Sequence, residues 1–418
     1  MNGLSVRIGG SIRALSQDDW NQLVTSADAE GDCDNPFVDW RFLAALEDGG
    51  CAVAARGFLP CPFVVYADGQ PVAAAPAYVK QDSDGDFSRD WDWAAAAERA
   101  GLSYYPKLIF GIPFTPVTGR RVLFRADLLA AQRDAIYAAL LSAARRFCQE
   151  QRIASLHVLF PTATQARDLA RHGLASRVAF QYHWNNPGYR DPEEFYARFS
   201  SKRRNALKRE RSAAQSQGIA LRTVRGDEIA RDPQTYADLA HALHSSTVDK
   251  LIWGRRWLTQ GFYRQLFSSL PAAVELVLAE RAGQVVAGAF NVASDDGTPY
   301  GERDASALPV RRLYGRYWGC FEDHPFLHFN VCYYHSIDEC IRRKVRIFEG
   351  GAGGEHKIAR GFEPSETYSA HAFFDPRLDV ALRRHLQQET QARTQAIAEY
   401  REKAPVLKPW SASDGRDE

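Results

Sequence analysis

The sequence contains no Cys-x-x-Cys pair. Its seven cysteines, at 33, 51, 61, 148, 320, 332 and 340, are scattered and odd in number, which speaks against a disulfide framework or a structural zinc site. No stretch of about 20 apolar residues exists to span a bilayer. The opening Met1-Asn-Gly-Leu-Ser-Val-Arg-Ile8 has no apolar run of signal-peptide length, and a reducing cytoplasm is the expected compartment. The net charge is only +1, so the chain has no global attraction to nucleic acid or membranes. DNA is not an expected partner, and any polyanion site must come from a local basic cluster. Gly-x-Ser-x-Gly, a Walker loop and His-Glu-x-x-His are all missing. Covalent serine chemistry, nucleotide hydrolysis and a zinc-hydrolase site lose their support with them. His324 and His328 are spaced i,i+4, but Pro325 breaks a shared helical face; no metal is expected.

What is present describes an ordinary globular chain, 45% hydrophobic and 25% charged over 418 residues, long enough for two domains. The expected fold class is α/β with mixed sheets. Val6–Leu15 reads as a strand and turn, and Ser16 as the N-cap of a first helix with Asp18 and Asp19 in its opening turn. A second helix starts at Asn35-Pro-Phe37. The segment 62–79 reads as a hairpin turning at Asp68-Gly69. The same β-α-α-β-β order returns over 219–293, with a second hairpin turning at Ala282-Gly283, and Tyr314–Gly319 adds a strand. The repeat is one of pattern, not of residue identity. The expected domains are 1–187, 188–375, and a C-terminal helix and tail over 376–418.

Between the repeats, 103–122 carries Pro106, Pro113, Pro116 and Gly119 and reads as an ordered loop, lined by Tyr104, Tyr105, Lys107, Thr115 and Thr118. A periodic helix over 127–151 and a buried strand over 155–160 follow. Ser200 then caps a helix in which six cations lie between Lys202 and Arg211. Lys202, Arg203 and Arg204 sit in its first turn, at the positive end of the dipole. That placement is poor for the isolated helix and suited to an anionic ligand such as a donor's phosphates. A solvated charged face is the other reading.

Aromatic, ionisable and glycine residues crowd together from Leu313 to His335 and from Phe348 to Pro364. Such interleaving lines pockets more readily than it fills a core. Tyr314, Arg316, Trp318, His328, Tyr334 and Arg360 are the substrate-lining candidates. Gly350–Gly354 either lets backbone approach a ligand or makes a tight turn. Glu349, Glu355, His356 and Lys357 combine proton acceptors, an imidazole and a cation, the set needed to deprotonate an amine and steady an oxyanion. Glu355 and Lys357 pairing at the surface is the alternative.

These residues resemble the FemAB-like proteins, predicted N-acyltransferases of peptidoglycan-biosynthesis type within the GNAT superfamily. The matching segments are Asn35-Pro-Phe37, Tyr104-Tyr-Pro-Lys-Leu108, Pro113-Phe-Thr-Pro-Val-Thr-Gly119, Ser201-Lys-Arg-Arg-Asn205, Tyr314-Gly-Arg-Tyr-Trp-Gly-Cys320, His324-Pro-Phe-Leu-His-Phe329, Cys332-Tyr-Tyr334 and Gly354-Glu-His-Lys-Ile-Ala-Arg-Gly-Phe-Glu-Pro364. The resemblance implies tandem GNAT-like domains and transfer of an acyl or aminoacyl group to an amine by direct attack, without an acyl-enzyme. It implies an acyl-CoA or other acyl thioester as co-substrate rather than a resident cofactor, with a small molecule or peptide as acceptor. Aminoacyl-tRNA is the alternative donor, and a non-catalytic binding scaffold a third reading. The excursion 295–310 and the spacing in Lys250-Leu-Ile-Trp-Gly254 depart from the family pattern on the expected acceptor side, and no long coiled-coil arm of the kind some tRNA-dependent members carry is evident.

Overall fold

The computed structural model describes residues 3–25, 35–250, 255–294, 311–403 and 406–409. The excursion 295–310, residues 251–254 and most of the tail from Pro405 lie outside them. The described chain forms two compact units. One comprises Met1–Phe180, Trp257–Ser269 and Glu366–Gln395; the other comprises Gln181–Arg256, Leu270–Ser365 and Ala396–Glu418. Both are thus discontinuous in sequence, unlike the contiguous division expected above.

In the first unit, strands Phe63–Ala67 and Gln70–Ala75 pair antiparallel. They turn through Asp68 and Gly69 at φ 51° and 79°, the left-handed pair that a two-residue type I′ turn requires. Strand Ser5–Ile8 pairs with the first of them. After Pro76 the chain enters a second ladder, in which Ala77–Lys80 pairs with Phe58–Pro60 and Lys107–Phe110, and the latter lies parallel to Ser155–Leu159. Residues 107–110 are therefore a fully buried strand inside the segment expected to be a loop. Pro106 and Pro113 fall just outside it, so no ladder donor is lost. The parallel pair is joined by helix Ala130–Glu150, whose Ile136, Leu140, Ala144 and Cys148 recur every four residues and are buried. Helix Gln260–Ser269 crosses the end of helix Trp40–Asp48 so closely that a Cβ on Gly49 would lie 2.5 Å from the Phe262 amide nitrogen. That contact ties 257–269 to the first unit.

In the second unit, Ile219–Arg225, Val274–Arg281, Gln284–Ala293 and Arg312–Cys320 form an antiparallel run. Ile347–Glu349 adds in parallel to residues 312–314 and antiparallel to 183–185. Helix Pro233–Val248 lies on one face, admitted by Gly288 and Gly319: a Cβ on Gly319 would sit 1.7 Å from the Leu243 carbonyl oxygen. On the other face Ala214 of helix Ser201–Ser216, together with Leu327 and Val331, packs against Val277, Ala287 and Ala289. Ser200 caps helix Ser201–Ser216, its hydroxyl accepting from the Arg203 amide.

Candidate active site

The second unit holds a pocket of about 90 Å³ where strands Arg312–Cys320 and Ile347–Glu349 part company. Their pairing ends at Tyr314↔Glu349. On the other edge the register slips between Phe290 and Asn291, so that Asn291 faces Gly315 and Phe290 faces Tyr317. Arg316 is the extra residue of this bulge, a device that re-aims side chains. Asn291, Gly315, Arg316 and Trp318 line one wall; His328, Cys332 and Tyr333 line another, with Phe348 and Gly350 closing the third. The His328 ring lies over Trp318, with ring centres 4.5 Å apart. Burial, reinforced by the cations around it, lowers the His328 pKa to about 4 and keeps the imidazole neutral.

The glycine run leaves the pocket as an irregular loop, with Gly351, Gly353 and Gly354 at positive φ. Lys357 holds it together: the ammonium is buried and donates to the carbonyls of Gly351 at 2.7 Å and Gly353 at 2.6 Å. Desolvation lowers its pKa to about 8. Glu349 is buried beside Arg312 at 3.2 Å and His183 at 3.7 Å. Glu355 is exposed and forms no ion pair among the described residues. His356 turns instead to Tyr333, its Nε2 3.1 Å from the phenol oxygen. Desolvation, then Lys357 and Arg360, lowers the His356 pKa, while burial raises that of Tyr333. The four residues grouped in the sequence as proton-handling candidates thus take separate positions, and Tyr333, absent from that group, lines the pocket.

Tyr334, the neighbour chosen from the sequence, points elsewhere. Its hydroxyl donates to Glu210, which also accepts from Arg360 at 2.6 Å and lies 3.5 Å from Arg203. Arg203 Nε donates to the Ala359 carbonyl at 2.7 Å, and the Arg360 guanidinium lies 3.3 Å from the centre of the Phe329 ring. Arg203 and Arg360 thereby fix the turn Glu355–Arg360 that presents His356. Lys202 is exposed, Arg204 half-buried, and neither makes an ion pair among the described residues. Tyr314 is fully buried. A wide i→i+5 turn over Asn330–Tyr334 displaces Tyr333 and Tyr334 from the 3.6-residue period, so helical spacing read from the sequence cannot assign them. Replacing Glu210 with Ala leaves the buried Arg360 without its carboxylate. The expected cost is about 3 kcal/mol, checked by urea denaturation; a midpoint equal to wild type contradicts this role.

Three of the first-unit candidates, Tyr104, Tyr105 and Lys107, belong to one polar network. Lys107 donates to Asp90 at 2.6 Å and pairs with Asp86 at 2.8 Å, with Ser83 and Ser88 as further acceptors. Tyr104 donates to Asp90, and the Tyr105 hydroxyl shares a hydrogen bond with Ser83. Thr115 donates to the Pro113 carbonyl, and the Thr118 carbonyl accepts from Asn35. Beside the network, His157 and His371 are joined Nδ1 to Nδ1 at 2.7 Å, flanked by the hydroxyls of Ser155 and Ser369. Two Nδ1 atoms share a hydrogen bond only if one carries the proton and the other accepts, so the neutral rings take opposite tautomers.

Burial, and then Lys107, pushes the His157 pKa down to about 3; burial, and then His157, pushes that of His371 well below its usual value. Folded-state values below an unfolded value of about 6.5 mean that the unfolded chain binds more protons as the pH drops. Stability is therefore full above about pH 6.5 and falls on acidification, by up to roughly 1.4 kcal/mol per pH unit for each histidine. Urea midpoints at pH 7, 6 and 5 should fall in that order, and His371→Gln should flatten the trend; a flat wild-type profile would contradict it.

The mixed-sheet fold and the family match together identify an enzyme that transfers acyl or aminoacyl groups. The chain belongs to the FemAB_like family, described as peptidoglycan biosynthesis/recognition, which matches residues 11–408. No curated protein sequence matches it. Among solved structures it is similar in fold to FemX, at 10% identity and a TM-score of 0.50, covering 88% of this chain and 98% of that one. It is also similar to L-PGS from Bacillus licheniformis, at 8% identity and a TM-score of 0.46 over 85% and 97% of the two chains. A tandem GNAT protein from the clavulanic acid biosynthesis pathway gives 12% identity and a TM-score of 0.40 over 89% and 98%. Among the described residues no helix is long and apolar enough to cross a membrane.

Proposed function

We propose that the pocket of the second unit binds an acyl thioester, acyl-CoA or a carrier-bound equivalent, and that an amine attacks its carbonyl directly. The observation that carries this reading is the Tyr333–His356 hydrogen bond at a pocket opened by the parting of two strands. The depressed pKa of His356 favours a neutral imidazole, ready to take the proton that the attacking nitrogen loses as its bond to carbon forms. The C–S bond then breaks, Tyr333 gives its proton to the departing thiolate, and His356 returns a proton to the phenolate. Lys357 serves by holding the loop, two of its three N–H groups donating to the Gly351 and Gly353 carbonyls. The proposed setting is the cytoplasm, where unpaired thiols such as the six described here persist.

Tyr333→Phe and His356→Ala should each lower kcat by about 100-fold, within the range for general acid–base groups. Because the two act as one relay, the double variant should lose little more than either alone. Unchanged turnover in both single variants, in folded protein, would refute the relay.

One observation favours a second reading, in which the donor is an aminoacyl-tRNA: Lys202 and Arg204 stand in the first turn of a capped helix without ion-pair partners among the described residues. RNA binding should then fall steeply with salt as counterions are released. Salt-insensitive binding would argue against it.

A further inference from the structure

A thiol, an amine and a carboxylate meet in the second unit at a place the proton relay does not use. Cys320 is the last residue of strand Arg312–Cys320, opposite Ala287. Helix Pro233–Val248 runs close over this strand end because Gly319 has no side chain to hold it off. Asp249 caps the helix, and the Lys250 amide turns back to donate to the Thr247 carbonyl at 3.2 Å. The lysine ammonium is thereby carried to the strand end. Lys250 Nζ lies 3.5 Å from Cys320 Sγ, and 3.5 Å from both the Cys320 carbonyl oxygen and Asp323 Oδ1. The thiol donates to that same Asp323 oxygen at 3.2 Å. Cys320 is buried, but the two side chains that meet its sulfur are 52% and 86% exposed, and they mark the side from which a small solute arrives. Burial, then the hydrogen bond to Asp323, raises the Cys320 pKa against the opposing pull of Lys250. The resting thiol is therefore protonated and needs a base beside it to react as a nucleophile.

We propose that Cys320 and Lys250 are a peroxide-sensitive modification site, at which oxidation joins Sγ to Nζ in a reducible S–N bond. In the first step the sulfur attacks one oxygen of hydrogen peroxide and the O–O bond breaks. Asp323 takes the thiol proton and passes it to the departing hydroxide, which leaves a sulfenic acid and water. In the second step Lys250 gives one proton to solvent, and its amine attacks the sulfur. The N–S bond forms, the S–O bond breaks, and the hydroxide leaves with a second N–H proton as water. The sulfur has lost two electrons and one peroxide has become two waters. The bond ties the helix end to the strand that carries Gly315, Arg316 and Trp318 along the pocket wall.

The full chain is treated with hydrogen peroxide, its remaining thiols are alkylated, and its tryptic peptides are sequenced by mass spectrometry. The expected product is a peptide pair joined at Cys320 and Lys250. It should be lighter than its reduced parts by a pair of hydrogens, uncleaved after Lys250, and separated by dithiothreitol. It should form about tenfold or more faster in the folded chain than in urea, a small part of what enforced proximity can supply. Lys250→Arg, which keeps the charge at an exposed position, should abolish the pair, as should Cys320→Ser. Recovery of Cys320 as sulfinic or sulfonic acid with Lys250 free overturns the proposal. So does a disulfide with Cys332, which packs against the same apolar cluster, because a thiol would then resolve the sulfenic acid in place of the amine. A joined pair heavier by one oxygen, equal rates in folded and unfolded chain, or a Cys320 that peroxide leaves unchanged would each overturn it as well.

Discussion

Lys107→Met should destabilise the protein by about 3–5 kcal/mol at pH 7, the usual cost of removing one partner from a buried ion cluster. The ammonium is fully buried between Asp86 and Asp90, both of which are themselves buried. Methionine fills much of the same volume, so packing is nearly kept while two carboxylates lose their cation. Desolvation already raises the Asp86 pKa with Lys107 present, whereas Lys107 helps to hold that of Asp90 low. Without it both carboxyls gain affinity for protons in the folded state. A group whose folded pKa is raised gives stability at low pH that is lost as the pH rises. The deficit of the variant relative to wild type should therefore shrink on acidification, although the wild type itself weakens there. Adding Asp86→Asn and Asp90→Asn to Lys107→Met should recover much of the loss. A single variant of wild-type stability would show that the cluster contributes nothing net.

Gly315→Val should abolish transfer, by about 100-fold or more, without unfolding the protein. A Cβ at Gly315 would meet Phe348 at 3.4 Å, an ordinary contact, so the strand accepts a side chain. The branched group then occupies the pocket over Asn291, and displacing a reacting group by about 1 Å can cost about 100-fold. Gly319→Ala, four residues along the same strand, should do the reverse. Its Cβ would overlap the Leu243 carbonyl of a packed helix, so the loss is in stability, by about 3 kcal/mol or more. Thermal melts and turnover measured on both variants separate the two effects. Full activity in Gly315→Val would place the substrate elsewhere.

Much of the fold was legible because local rules decided it. The turns at Asp68-Gly69 and Ala282-Gly283 both adopt positive φ, and Ser16 and Ser200 cap the helices they precede. The crowded stretch from Leu313 to Pro364 does supply most of the pocket lining. What stayed hidden depends on contacts distant in sequence. Nothing local says that 257–269 packs with the first unit; the close approach of Gly49 to Phe262 decides it. The loop expected around Lys107 contains a strand because Ala77–Lys80 and Ser155–Leu159 flank it on either side. Asp86 and Asp90 convert Lys107 from a candidate ligand contact into the centre of a buried ion cluster. In the site, a bulge at Arg316 and a wide turn at Asn330–Tyr334 defeat simple periodicity, which is why Asn291 and Tyr333 escaped the sequence reading. Glu210 lies inside a cationic run, and nothing local marks it as the partner of Arg360, which is 150 residues away in the chain.

The most direct test of the central claim is native mass spectrometry of the wild type and Gly315→Val with acyl-CoAs of several chain lengths. A retained acyl-CoA adduct is expected in the wild type, and none in a folded Gly315→Val. An adduct of equal intensity in both proteins, or none in either, would contradict the assignment of this pocket to an acyl-CoA donor.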